Sequence, residues 1–153
     1  MGSDINIVLE KNSEDKWVFV EEIYYDGRNY DLFAKLAGVT NYGNTKPFVE
    51  PRGIPEDASE EMKNKYSKVY HDYTYYDLDE LISLCENCIT KVWVHCPGGN
   101  GKEIEALKTF CRGYKSDKQN SVYFRRTLDE DFINEIKKYK TYKQRRLIIF
   151  FDS

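Results

Sequence analysis

The sequence predicts a single α+β domain, a mostly antiparallel sheet carrying packed helices and one long loop containing proline and glycine. Three observations predict it. Apolar, β-branched runs of strand length stand at both ends of the chain, capped segments of helical periodicity recur between them, and residues 39–57 hold three of the four prolines together with Gly43 and Gly53. The 153 residues fit one domain over 1–153, long enough to bury roughly 68–70% of the surface the unfolded chain exposes.

Taken in order, Ile5–Leu9, the turn-like 11–15 stretch and Trp17–Val20 read as an N-terminal hairpin. Asn29 caps a helix with Leu32, Phe33, Leu36 and Ala37 on one face, Asp31 in its first turn and Gly38 just past its end. After the 39–57 loop, Asp57-Ala58-Ser59-Glu60 offers a capping box for a helix running to about Tyr70 with Ala58, Met62, Tyr66 and Val69 at helical spacing. Residues 71–76 then read as a connecting knot. Asp77-Leu78-Asp79-Glu80 starts a third helix, with Leu78, Leu81, Ile82 and Cys85 inside. Lys91–His95 reads as a strand, Pro97–Gly101 as a loop, and Ile104, Leu107, Phe110 and Cys111 as a helix ending near Gly113. Ser121–Arg125 is a strand expected in the main sheet, and 127–130 caps a helix with Leu128, Phe132, Ile133 and Ile136 inside. Leu147–Phe151, the most apolar run, is the expected sheet centre.

Composition excludes more than it selects. With 23 basic and 26 acidic residues the net charge is −3, so whole-molecule electrostatics do not drive the chain onto nucleic acid. No apolar run approaches the ~18 residues of a membrane span, and Met1–Asp4 carries no signal-peptide pattern, so a cytoplasmic setting is expected. The 13 tyrosines and 8 phenylalanines suit half-buried surfaces and binding faces.

Four pieces carry a resemblance: residues 28–39 (RNYDLFAKLAGV), 50–55 (EPRGIP), 78–81 (LDEL) and 146–152 (RLIIFFD). In these the chain resembles a family of small bacteriophage and prophage proteins. Ahead of the third helix that family usually combines Asp, His and Ser, whereas here His71 alone stands at the matching place, with Asp72 beside it. The resemblance implies a phage or prophage accessory protein working inside a bacterial cell.

The candidate ligand residues are Arg28, Asn29, Tyr30, Arg52, His71 and Tyr73. Arg28 precedes a helix whose free N–H groups favour an anion, and Arg52, on a turn braced by Pro51, Gly53 and Pro55, can fork onto phosphate or carboxylate. Equally, Arg28 can pair with Asp26 or Asp31 while the Arg52 turn fixes the loop path, and both readings stand. His71 offers an imidazole that Asp72 or Asp77 can orient as a general acid or base, yet no serine or cysteine stands near it in sequence as a nucleophile. Cys85, Cys88, Cys96 and Cys111 with His95 supply enough ligands for one zinc, but at no recognised finger spacing, and the reading favoured is reduced, packed thiols without metal. The Cys96–Glu103 loop lacks the first glycine and the Ser or Thr of a phosphate-binding loop and reads as a turn. Residues 123–126 and 139–146 interleave aromatic and basic side chains, as single-strand binders do, though the second also completes a helix end.

These readings converge on a non-enzymatic anti-defence binder, without cofactor, that captures a phosphorylated nucleotide signal or blocks a bacterial defence protein. A phosphodiesterase or nucleotide hydrolase using His71 with Arg28 and Arg52 is the first alternative, and a nucleic-acid binder using the basic 137–146 run is the second. A homo-oligomeric state is left open.

Overall fold

The computed structural model describes residues 3–41, 45–66, 70–95, 114–116 and 121–152. The elements run β1 (Asp4–Ser13), β2 (Lys16–Ile23), α1 (Tyr30–Ala37), α2 (Glu60–Tyr66), β3 (His71–Asp77), α3 (Leu78–Glu86), β4 (Ile89–His95), β5 (Tyr114–Ser116), β6 (Ser121–Thr127), α4 (Glu130–Lys137) and β7 (Arg145–Asp152). The fold is α+β with antiparallel pairing throughout. Two compact units divide it, one of residues 1–85 with 129–153 and one of residues 86–128.

The first unit is built on a four-stranded sheet in the order β2-β1-β7-β3. Hairpin β1–β2 closes through Asn12↔Trp17 and Ser13↔Lys16, and β7 lies against β1 with Ile7↔Ile149 and Val8↔Ile148. As the run of apolar residues predicts, β7 is internal and buried from Arg146 to Phe151. A strand buried on both faces needs cover on each. Leu147, Ile149 and Phe151 face one way with Ile5, Ile7 and Leu9, and Phe33 of α1 sets its ring edge-on to Phe151 at 5.2 Å. The Tyr76 hydroxyl donates to the Leu36 carbonyl at 2.6 Å, tying α1 to that same face. Ile148 and Phe150 face the other way with Val8, covered by Ala58 and Met62 and flanked by Phe19, Ile54, Tyr70, Tyr73 and Tyr75.

Two expectations are corrected. The 121–127 strand is not in this sheet; it pairs with β4 and β5 in a separate three-stranded sheet of the second unit. Its place beside β7 is taken by residues 71–77, expected as a connecting knot and found as the edge strand β3. Only Thr74 and Tyr76 bury fully there, on alternate positions, so a period of two exists but is carried by a hydroxyl and a phenol rather than by aliphatic residues. The second helix is described over Glu60–Tyr66, and residues 67–69 of the expected run to Tyr70 lie outside the described residues. The expected helix at 104–113 and the Pro97–Gly101 loop lie outside the described residues.

Capping matches the sequence at α1, α3 and α4, whereas α2 is capped by Ser59, whose Oγ accepts the Met62 N–H at 3.2 Å, and not by Asp57, which Arg146 engages. Asn29 accepts the Leu32 N–H at 3.2 Å, Asp129 accepts the Phe132 N–H at 2.9 Å, and Asp77 accepts the Asp79 and Glu80 N–H groups at 3.0 and 3.2 Å. Gly38 ends α1 at φ +72°, in the left-handed region that glycine enters without cost. Among the described residues no helix is long and apolar enough to cross a membrane.

Candidate functional site

The chain leaves β2 through Tyr24–Asn29 and there borders a cleft of about 580 Å³. Its polar lining is Asp4, Asn6, Glu22, Asp26 and Arg28, with Tyr24 at the wall and 80% exposed. Arg28 forks onto Asp4, Nε donating to Oδ1 at 2.8 Å and Nη2 to Oδ2 at 3.3 Å. That bond holds the Asp4 carboxyl below its ordinary range and raises the guanidinium further. The partner is thus Asp4, on β1, and not Asp26 or Asp31. Three carboxylates of the lining (Asp4, Glu22, Asp26) face one guanidinium, so the cleft is net acidic. Just beyond it, Asn6 Nδ2 donates to Asp152 Oδ2 at 3.1 Å, adding a fourth carboxylate nearby.

Asn29 and Tyr30 are spent on the fold. Besides capping α1, Asn29 donates from Nδ2 to Asp129 Oδ2 at 3.1 Å, and the Tyr25 hydroxyl donates a short bond to the same oxygen. Two helix caps are thereby bolted side by side. Burial, followed by the Asp129 carboxylate, pushes the Tyr25 phenol far up, and its ring meets Phe132 edge-on at 5.4 Å. Tyr30 sets its ring against Phe33 at 5.7 Å.

Arg52 holds the loop to the outer edge of β3. Its guanidinium donates to both Glu80 oxygens at 2.8 and 3.0 Å and to the Tyr75 carbonyl at 2.9 Å, and it lies over the Tyr75 and Tyr76 rings at 5.7 and 5.3 Å. The backbone follows, with Arg52 N–H on Thr74 Oγ1 at 3.2 Å and Gly53 N–H, at φ +76°, on the Tyr73 carbonyl at 2.9 Å. The Glu80 carboxyl is drawn down by Arg52 and the guanidinium raised by Glu80.

His71 opens β3, its Nδ1 2.5 Å from Asp72 Oδ2 and its Nε2 buried without a hydrogen-bond partner. Asp72 sits at φ +56° in the irregularity between His71 and Thr74, where the ladder gives two β3 residues to one of β7. Tyr73 stacks on Phe150 at 5.3 Å and 25°, and burial raises its phenol.

These six residues do not converge. Tyr75 lies level with Ile148 and Val8, four residues along β1 from Asp4 and two strands across, so Arg28 and Arg52 are anchored about 13 Å apart along the strands and about 10 Å across them. His71 pairs with Phe151 and shares its face, whereas Asp4 alternates with Ile5 and points to the opposite face. The arginines of the basic 137–146 run are also engaged. Arg145 donates to Asp79 Oδ1 at 2.8 Å, and Arg146 is buried on Glu10. Of the cysteines, Cys85 is buried and Cys88 half-buried, while Cys96 and Cys111 lie outside the described residues.

Sequence reasoning missed the cluster at the centre of the second face. Glu10, fully buried, takes Arg146 Nε and Nη2 on Oε1 at 3.1 and 2.9 Å and the Ser59 N–H on Oε2 at 2.8 Å. Asp57 accepts Arg146 Nη1 at 2.8 Å, its carboxyl lowered by that bond, and the Trp17 ring lies 3.9 Å from the guanidinium. The one available signal was a charged residue at an inward position of each of two apolar strands. The acidic cleft gave no signal, because its residues come from β1, the end of β2 and the turn beyond. No protein-family model matches the chain, and neither a curated protein nor a solved structure matches it.

Proposed function

We propose that the protein is a non-enzymatic binder that engages a basic protein surface through the acidic cleft beside Tyr24, and does not capture a phosphorylated nucleotide. The carrying observation is the sign of the cleft: three carboxylates against one arginine whose fork is already closed on one of them. Such a site repels a phosphate and attracts a lysine or arginine side chain, with an exposed tyrosine beside it for cation–π contact. The resemblance to phage and prophage proteins gives the setting, in which the partner is a bacterial defence protein and binding blocks it.

The test uses affinity capture from bacterial lysate beside recovery of small molecules by heat denaturation of the purified chain. The expected result is a basic host protein held by the wild type, lost with Glu22→Lys/Asp26→Lys, and weakened by salt. A nucleotide released from the wild type and lost with Arg28→Ala or Arg52→Ala overturns the reading in favour of capture. The His71–Asp72 contact is the one observation favouring an enzyme, and turnover of a phosphodiester or nucleotide that disappears with His71→Ala would establish that alternative instead.

A further inference from the structure

The two edges of the four-stranded sheet are treated differently. Along β3 the loop at Arg52 and Gly53 covers the edge, donating to Thr74 Oγ1 and to the Tyr73 and Tyr75 carbonyls. Along β2, among the described residues, no strand pairs with the outer edge. That edge reads Lys16-Trp17-Val18-Phe19-Val20-Glu21-Glu22-Ile23, with Trp17–Val20 half-buried and no proline or central lysine to discourage pairing. We propose that two copies of this chain join antiparallel through β2, merging two four-stranded sheets into one of eight around a two-fold axis at Val18.

The register follows from β2 itself. Val20 is its extra residue on the β1 side, since Phe19 pairs with Glu10 and Glu21 with Leu9; the proposed outer ladder leaves the same residue out, so its rungs are Lys16, Trp17, Val18, Phe19 and Glu21. Centring the axis on Val18 sets Val18 against its own copy, Trp17 against Phe19 and Lys16 against Glu21. Faces agree as well. Lys16, Val18 and Glu21 pair with Ser13, Lys11 and Leu9 on one side of β1, and Trp17 and Phe19 with Asn12 and Glu10 on the other. Each copy therefore contributes one cation–anion pair and one aromatic pair, and the symmetry doubles both. Lys16 and Glu21 are exposed in the single chain, and Glu21 has a second oxygen to offer beyond the bond it accepts from Tyr139. The occupant is a second copy because this one edge carries both an exposed cation, Lys16, and an exposed anion, Glu21, on the same face, so a two-fold axis between them makes the edge complementary to itself.

Light scattering and sedimentation of the full chain test it over about 1–200 μM, the range a small strand-pair interface calls for. The expected result is a concentration-dependent dimer. Lys16→Glu weakens it roughly tenfold, because two symmetry-related pairs turn repulsive, and Lys16→Glu/Glu21→Lys restores it, with circular dichroism unchanged in both. A monomer throughout the range, a dimer indifferent to Lys16→Glu, or a charge swap that fails to restore dimerisation overturns the proposal.

Discussion

Arg146→Met tests the central cluster. It leaves Glu10, 0% exposed, without its cation, and removing one partner of a buried pair costs about 3–5 kcal/mol because the remaining charge is uncompensated. The loss of the Asp57 contact and of the Trp17 ring 3.9 Å from the guanidinium acts in the same direction. Methionine fills much of the arginine stem, so the cavity contribution is small. In a chain of 153 residues, a loss of about 3 kcal/mol lowers the melting temperature by about 6–12 °C. Urea unfolding followed by circular dichroism and tryptophan fluorescence reads the change. The decisive variant is Glu10→Gln/Arg146→Met. A neutral glutamine still accepts the Ser59 N–H but strands no charge, so the double variant is more stable than Arg146→Met alone by about 1–3 kcal/mol. A single variant losing under about 1 kcal/mol, or a double variant no better than the single, refutes the reasoning.

Three further outcomes follow from local geometry. Gly38→Ala forces an L side chain to φ +72° where its Cβ meets nothing within 4 Å, so the loss is conformational alone, about 1 kcal/mol by urea unfolding. The Glu80 carboxyl, held low by Arg52, and the Asp57 carboxyl, held low by Arg146, add stability above the ordinary carboxylate range, and that stability is lost as pH falls through the lowered folded values. Arg52→Ala therefore flattens the acid limb of the stability profile and moves the Glu80 titration, read by carboxyl NMR, back up. Burial raises Tyr25 and Tyr76 well above an ordinary tyrosine, so in a spectrophotometric titration both stay protonated past pH of about 10. Tyr25→Phe removes one of these late-titrating groups and leaves Asp129 Oδ2 to the Asn29 amide alone.

What the sequence made legible was what is local. Asn29 before an apolar stripe, Gly38 after it, and the Asp77 and Asp129 caps need only three or four residues of context, and each cap stands where the pattern puts it. The apolar run at Leu147–Phe151 fixed the interior strand for a similar reason. Pairing partners were not legible. The strand expected beside β7, at 121–125, belongs to the other sheet. The strand that fills that place is Tyr-rich and turns on one buried threonine and one buried tyrosine, so its period of two is hidden by half-buried phenols. Glu10 and Arg146 are separated by 136 positions and meet only through the β1–β7 register.

The two arginines on which an anion site was expected illustrate how a motif can be right in place and different in use. An arginine offers a phosphate its fork only if that fork is open. Arg52 has committed both ends of its fork to Glu80 and one of them also to the Tyr75 carbonyl, and in doing so covers the edge of β3 that would otherwise stand bare. Arg28 has a simpler bond, half-exposed on both sides, and exchange of Asp4 for a ligand there is sterically open. What opposes an anion at Arg28 is the company: releasing Asp4 returns a third free carboxylate to a cleft that already holds Glu22 and Asp26. A basic side chain meets the opposite balance, gaining the two free carboxylates without displacing Arg28 at all. The same arginine thus acts as a wall that keeps Asp4 fixed, and the net acidity of the cleft comes from the residues around Arg28 rather than from Arg28 itself.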